Sequence, residues 1–232
     1  MSKQTSVAIM QPYIFPYIGQ LNLIQAVDKF VFFDDVNFMT KGFTHKNTIL
    51  INEQIHTFII PIKNKSQNTL IKDAVILDIQ KFKYDFFIKL ERVYKKSKFF
   101  AQGMEYVKTV LDFNSKYISD FAIYSITQFF DFLDINKDFY KSSTLSPESQ
   151  GLKPASDRLI KITKKLDSNY YINGPGGFTY GLYNKDYFAK NEIKLNFLQP
   201  SVVKGQELSI IHLMMHNSKE QLLEKLNDYT LF

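Results

Sequence analysis

VAIMQPYIFPYIGQLNLIQAVDKFVFFDD, residues Val7 to Asp35, is the stretch whose reading decides the fold. Val7–Met10 is an apolar run of the length of a buried strand. Between Gly19 and Asp28, apolar residues fall at Leu21, Leu23, Ile24 and Val27, the spacing of one helix face. Phe30–Phe33 is a second apolar run, closed by Asp34 and Asp35. Strand, helix and strand within about thirty residues make a βαβ unit, with parallel strands and a right-handed crossover.

Working outward, Val36 to Asn47 reads as irregular. TILI and HTFIIPI flank Asn52–Gln54 as a hairpin, and LIKDAVIL reads as a further strand. Phe82–Lys95, Met104–Leu111 and Tyr117–Leu133 carry helical periodicity. FYKSS, YYIN and IKLNFL then read as strands. Helices are expected over Ala155–Leu166, near Asp186–Lys190 and over Leu208–Leu226, with Ser143–Pro154 and GPGG as loops. The expectation is an α/β, Rossmann-like fold: a mostly parallel sheet, a helical section inserted in the middle and a C-terminal helix. Its α/β parts span 7–80 and 139–232 and its helical section 81–135, within one domain over 1–232.

The 232 residues can bury a sizeable core. No apolar run is long enough to span a bilayer, and Met1–Ser6 has no leader-like apolar segment. The absence of cysteine removes disulfides, thiolate metal sites and a cysteine nucleophile. These features fit a cytoplasmic protein without membrane insertion. The net charge of +6 rests on scattered lysines, with arginine only at positions 92 and 158. Nucleic-acid readers favour arginine forks, so stable nucleic-acid binding is not expected, whereas anionic small molecules are.

Ligands of open parallel sheets bind beyond the carboxyl ends of the strands, close to helix N-termini. The loop QPYIFPYIGQ occupies that position and offers Gln11, Tyr13, Tyr17 and Gln20, with Gly19 opening the backbone to close approach. Asp34 and Asp35 end the second strand, one expected to face in and one out, and suit acid–base work or the holding of an amine. KGFTHKN brings Lys41 and Lys46 as phosphate partners, Asn47 as a polar contact and His45 as a candidate base. NGPGG, with Gly174, Gly176 and Gly177 and with Tyr180 after it, suits a ligand-cradling loop but is no Walker motif. His212 and His216 have the i, i+4 spacing of metal ligands, yet the intervening LMM looks like core, and no metal site is expected.

MQPYIFPYIGQLNLIQAVDKFVFFDDV, KGFTHKNTIL, IPIKNKSQNTLI, YINGPGGFTYG, IKLNFLQP and LSIIHLMMHNS resemble the successive blocks of the WbqC-like family over nearly the whole chain. The resemblance implies a role in bacterial surface-polysaccharide (O-antigen) biosynthesis. It implies a transferase that attaches an aminoacyl group, glycyl in particular, or another acyl group to a nucleotide-linked aminosugar. The acyl donor stays open among ATP, a thioester and aminoacyl-tRNA, and a homodimer is an open option. Two departures stand out. The family pattern Trp-x-x-Arg-Asn-Arg is replaced by Phe43, Lys46 and Thr48 around Asn47, and an aspartate of the late block by His212. The opening block is also faintly similar to the HxGH region of Rossmann-like nucleotidylyltransferases. Tyr17 and Gln20 stand where those enzymes carry histidines, which implies the fold and an anion near Gly19 but not their chemistry. A non-catalytic subunit of a sugar-modifying complex is the remaining alternative.

Overall fold

The fold is taken from a computed structural model that describes residues 5–63, 66, 68–201 and 208–232. Residues 1–4 and the Asn64, Lys65 and Gln67 of IPIKNKSQNTLI lie outside the described residues. Strand β1 (Ser6–Met10), helix α1 (Ile18–Gln25) and strand β2 (Lys29–Phe32) form the expected unit. β1 and β2 run parallel, with Val7 opposite Lys29 and Met10 opposite Phe32. Next comes the antiparallel hairpin β3 (Lys46–Ile51) and β4 (Gln54–Ile59). Its turn residues Asn52 and Glu53 both take positive φ, 48° and 62°, the conformation that matches strand twist in a two-residue hairpin.

Three helices follow: α2 (Ile79–Tyr94), α3 (Phe100–Leu111) and α4 (Ile118–Phe132). Asp78 starts α2 by accepting the Lys81 amide at 2.9 Å. The chain then returns to the sheet through β5 (Asp138–Lys141), α5 (Ser142–Leu145), α6 (Ala155–Lys165) and β6 (Tyr170–Asn173). It continues through α7 (Pro175–Thr179), α8 (Lys185–Lys190) and β7 (Lys194–Pro200), then α9 (Ile210–His216), α10 (Lys219–Leu226) and β8 (Tyr229–Leu231). No helix is long and apolar enough to cross a membrane among the described residues.

The six-stranded sheet has the order β5-β2-β1-β6-β7-β8. Its first five strands are parallel and β8 is antiparallel to β7. Counted by appearance in the sheet, the strands lie third, second, first, fourth, fifth and sixth. This is the doubly wound, Rossmann-like order, and the winding reverses between β1 and β6. A large core on one face joins α1, α4, α9 and α10 to the helical section and the hairpin. A smaller core on the other face packs Val7, Ile9 and Val31 under α6 and α8.

Three local expectations are corrected, and one strand is added. LIKDAVIL is not a strand but a 3-10 turn, Ile71–Asp73, with isolated bridges at Val75 and Ile76. Its amides go to several segments, Ile71 N–H to Val36 O at 2.9 Å, Lys72 N–H to Asp34 O at 2.8 Å, Ile76 N–H to Lys116 O at 2.8 Å and Leu77 N–H to Pro61 O at 2.8 Å, so no ladder forms. GPGG is not a free loop: Gly174 caps α7 and Pro175 opens it, where a missing N–H costs nothing. The expected C-terminal helix is two, because Ser218 and Gln221 form a capping box that restarts the helix as α10. β8 is an added edge strand whose three residues carry too short a pattern to read.

Candidate functional site

At the carboxyl end of β1, the polypeptide from Gln11 to Tyr17 is fixed by side chains from distant segments. Asn47 Nδ2 donates to Ile14 O at 3.2 Å and Phe15 O at 2.9 Å. Ser209 Oγ donates to Phe15 O at 2.8 Å, and Ser125 Oγ accepts the Phe15 amide at 3.1 Å. Ile210 N–H reaches Pro16 O at 2.7 Å. The loop therefore holds the sheet, the hairpin, α4 and α9 together around buried Ile14 and Phe15. Phe15 sits at φ 44°, left-handed backbone that a bulky residue adopts only when its surroundings impose it.

The polar residues of this loop divide into two groups. Gln11 and Tyr13 are half-buried on the rim, where the Tyr13 ring lies 5.5 Å from that of exposed Phe43. Burial raises the Tyr13 pKa. Gln20 is buried and donates to Gln11 O at 2.8 Å. A Cβ at Gly19 would overlap the Tyr17 ring and approach Pro200, so the room at this glycine is filled by Tyr17 rather than left open for a ligand. Sequence position alone cannot reveal this, because Pro200 arrives from β7.

Asp34 and Asp35 were expected on opposite sides of the chain; both are buried, at 2% exposure. A tight turn, with the Asp34 amide on Phe32 O at 3.0 Å, lets consecutive side chains enter one polar cluster. Asp34 Oδ1 accepts from Ser142 Oγ at 3.1 Å and from the Ser143 amide at 3.0 Å, while Oδ2 accepts from Ser143 Oγ at 2.7 Å. It thus closes the start of α5 beyond β5. Asp35 accepts from Ser142 Oγ and from Arg158 Nη2, the latter 2.6 Å from both carboxylate oxygens. The Arg158 guanidinium lies 4.5 Å over the Phe33 ring and donates to Ser149 Oγ at 3.2 Å. Ser142, Ser143, Ser149 and Arg158 are the site residues that sequence reasoning missed. The available signal was Arg158 itself, one of two arginines in a lysine-rich chain and inside an apolar helix pattern.

The donors around the aspartates come from α5 and α6, not from Lys41–Asn47. Lys41 is exposed, Lys46 is half-buried on β3, and His45 is 1% exposed with its ring 4.9 Å from that of Phe38. Asn47 is committed to the β1 loop.

At the end of β6, next to β1, the glycines differ among themselves. A Cβ on Gly177 would meet Tyr183, Asn173 and Phe197 within about 3 Å, whereas one on Gly176 finds nothing nearer than 3.8 Å. A Cβ on Gly174 would stand 3.3 Å from the Met10 side chain, which places the β1 and β6 loops side by side. Tyr180 is 78% exposed beyond them. The loops that meet at the winding reversal thus carry Gln11 and Tyr13 on the β1 side and Asn173, Gly174 and Gly176 on the β6 side.

His212 and His216 do lie together on one face of α9, their ring centres 4.6 Å apart and tilted by 50°, and Tyr94 Oη is 3.1 Å from His212 Nδ1. No three His, Cys, Asp or Glu side chains converge as a metal site among the described residues.

A family model described as the WbqC-like protein family matches residues 11–224. No curated protein and no solved structure matches the chain.

Proposed function

The chain belongs to the WbqC-like protein family, and on that premise we propose that it is a transferase acting on a nucleotide-linked aminosugar at the carboxyl end of its sheet. Family membership supports a role in polysaccharide-associated biosynthesis. The observation that carries the site is the reversal of winding between β1 and β6, the place where doubly wound sheets open a ligand crevice.

In this reading the nucleotide part lies over the crevice, against Gln11, Tyr13 and the Gly174–Gly177 turn. Lys41 and Lys46 offset its phosphate charge. Asp34 holds the acceptor amine and takes its proton as the new amide bond forms and the donor's leaving group departs. Asp34 is preferred to Asp35 because Arg158 neutralises Asp35, whereas among the described residues neutral serine groups hold Asp34. It is preferred to His45 because Asp34 follows a strand of the parallel sheet at its carboxyl end, whereas His45 precedes the hairpin strand β3. The acyl donor is ATP-activated, a thioester or aminoacyl-tRNA. Site of action in the cytoplasm is part of the same reading.

A thermal-shift panel of nucleotides, UDP- and dTDP-aminosugars and glycine tests it. Stabilisation by an aminosugar nucleotide, lost in Asp34→Asn and kept in Lys108→Ala on the exposed side of α3, is expected. A nucleotide-sugar that fails to stabilise the wild type beyond the Asp34→Asn protein removes the substrate claim.

The strand order favours one second reading, nucleotidylyl transfer. Against it, Gln20 is buried with its amide spent on Gln11 O, and the Tyr17 ring lies over Gly19, so neither stands in for a phosphate-binding histidine. Release of pyrophosphate from ATP or CTP in the presence of a phosphosugar would favour that second reading.

A further inference from the structure

Between β4 and α2 runs an open groove of about 670 Å3, on the face of the molecule built by the hairpin and the helical section. Its walls are apolar: Phe58, Ile59, Pro61, Leu77, Phe82 and Phe86. Leu77 is 61% exposed and Ile59 48% exposed, and Ile55, 55% exposed, continues the same outer face of β4. Neighbouring exposed apolar side chains of this kind are a mark of an interaction surface in soluble domains.

The α2 side of the groove adds a charge pattern. Asp78, Lys81, Asp85 and Lys89 line it, all exposed. They follow one ridge of the helix, since each lies three or four positions from the next. None of Lys81, Asp85 and Lys89 is in an ion pair among the described residues, although Lys83 on the adjoining face pairs with Asp112 at 2.9 Å. From its N-terminal end the ridge reads acid, base, acid, base, so reversing it exchanges every sign. A second copy laid antiparallel puts Asp78 opposite Lys89 and Lys81 opposite Asp85, each pair twice. A two-fold axis requires this self-complementarity of an isologous interface.

We propose that this face is the interface of a homodimer in which the α2 helices of two copies cross antiparallel. The Lys89 end of each helix then covers the Leu77 end of the other, and Ile59 and Phe82 leave water. Opposed charges at the rim fix the register, and the apolar groove supplies the area. The groove is formed by β4 and α2, and Ile59 in its wall stands opposite Lys46 across the hairpin.

Mass in solution, measured by sedimentation from about 1 to 100 μM, tests the proposal on the full chain. The wild type is expected to dimerise. Asp85→Lys sets lysine against Lys81 of the other copy and is expected to weaken dimerisation at least tenfold. The double variant Lys81→Asp with Asp85→Lys swaps the pair on both copies and is expected to restore it. Far-UV circular dichroism checks that these exposed substitutions leave the fold intact. A monomeric wild type over the whole range overturns the proposal. So does a dimer indifferent to Asp85→Lys, which would then use another surface such as the open edge of β4. A double variant no tighter than Asp85→Lys overturns the antiparallel register.

Discussion

Arg158 Nη2 stands 2.6 Å from both carboxylate oxygens of Asp35, with the side chains 5% and 1% exposed, and so pins α6 to the end of β2. Removing one member of a buried pair strands the other charge at a cost of about 3–5 kcal/mol. Arg158→Leu is therefore expected to lower the unfolding midpoint by about 10 °C, given about 2–4 °C per kcal/mol for a chain of this size. Asp35→Leu with Arg158→Leu removes both charges and is expected to lose less. Calorimetry of the three variants decides; a double variant as unstable as Arg158→Leu would show that packing, not stranded charge, dominates.

Asn47 donates both amide hydrogens to carbonyls of the β1 loop, on Ile14 and Phe15. Asn47→Asp presents an acceptor-only carboxylate to those two carbonyls. Urea unfolding is expected to show a loss of about 2–4 kcal/mol, larger than for Asn47→Ala, because a buried unpaired charge exceeds the cost of unpaired carbonyls. Equal losses would mean that the loop carbonyls find other donors.

Gly177 is ringed by Tyr183, Asn173 and Phe197, and Gly176 is open. Gly177→Ala is expected to cost about 1–3 kcal/mol through overpacking. Gly176→Ala is expected to leave stability within about 0.5 kcal/mol. If the α7 turn borders a ligand, Gly176→Ala nonetheless weakens aminosugar-nucleotide binding. Unchanged binding in that stable variant would remove this turn from the site.

Burial, reinforced by the neighbouring His216 charge, lowers the His212 pKa from 6.5 to about 4. The unfolded chain then binds a proton that the folded chain refuses between those values. The contribution is full above pH 6.5 and declines as pH falls toward 4. Because the ring is partly exposed, about 1 kcal/mol is expected rather than the whole shift. His212→Gln should flatten the stability difference between pH 7 and pH 4.5 in urea titrations. Parallel profiles for the two proteins would place the acid sensitivity elsewhere.

The elements with strong periodicity were legible because their pattern is local. β1, α1 and β2, the hairpin turn at Asn52–Glu53 and the three central helices repeat their apolar residues at the period of their own backbone. LIKDAVIL misled because it is an apolar segment of strand length, while the Ile71 and Lys72 amides are taken by Val36 and Asp34 carbonyls. The split between α9 and α10 was written in Ser218 and Gln221, yet the apolar pattern runs across it.

The candidate site was legible as a position and not as a set of partners. The sequence by itself determined that a βαβ unit opens the chain, that a loop and two aspartates end its strands, and that no cysteine chemistry is available. Only the tertiary structure decided the use of each group: Gly19 makes room for Tyr17, Asn47 fastens the β1 loop, and Arg158 and the serines of α5 surround the aspartates. The physical reason is distance along the chain. Helix and strand patterns arise from neighbours a few residues apart, whereas Asp35 meets Arg158 across 123 positions, and nothing in either residue's surroundings names the other.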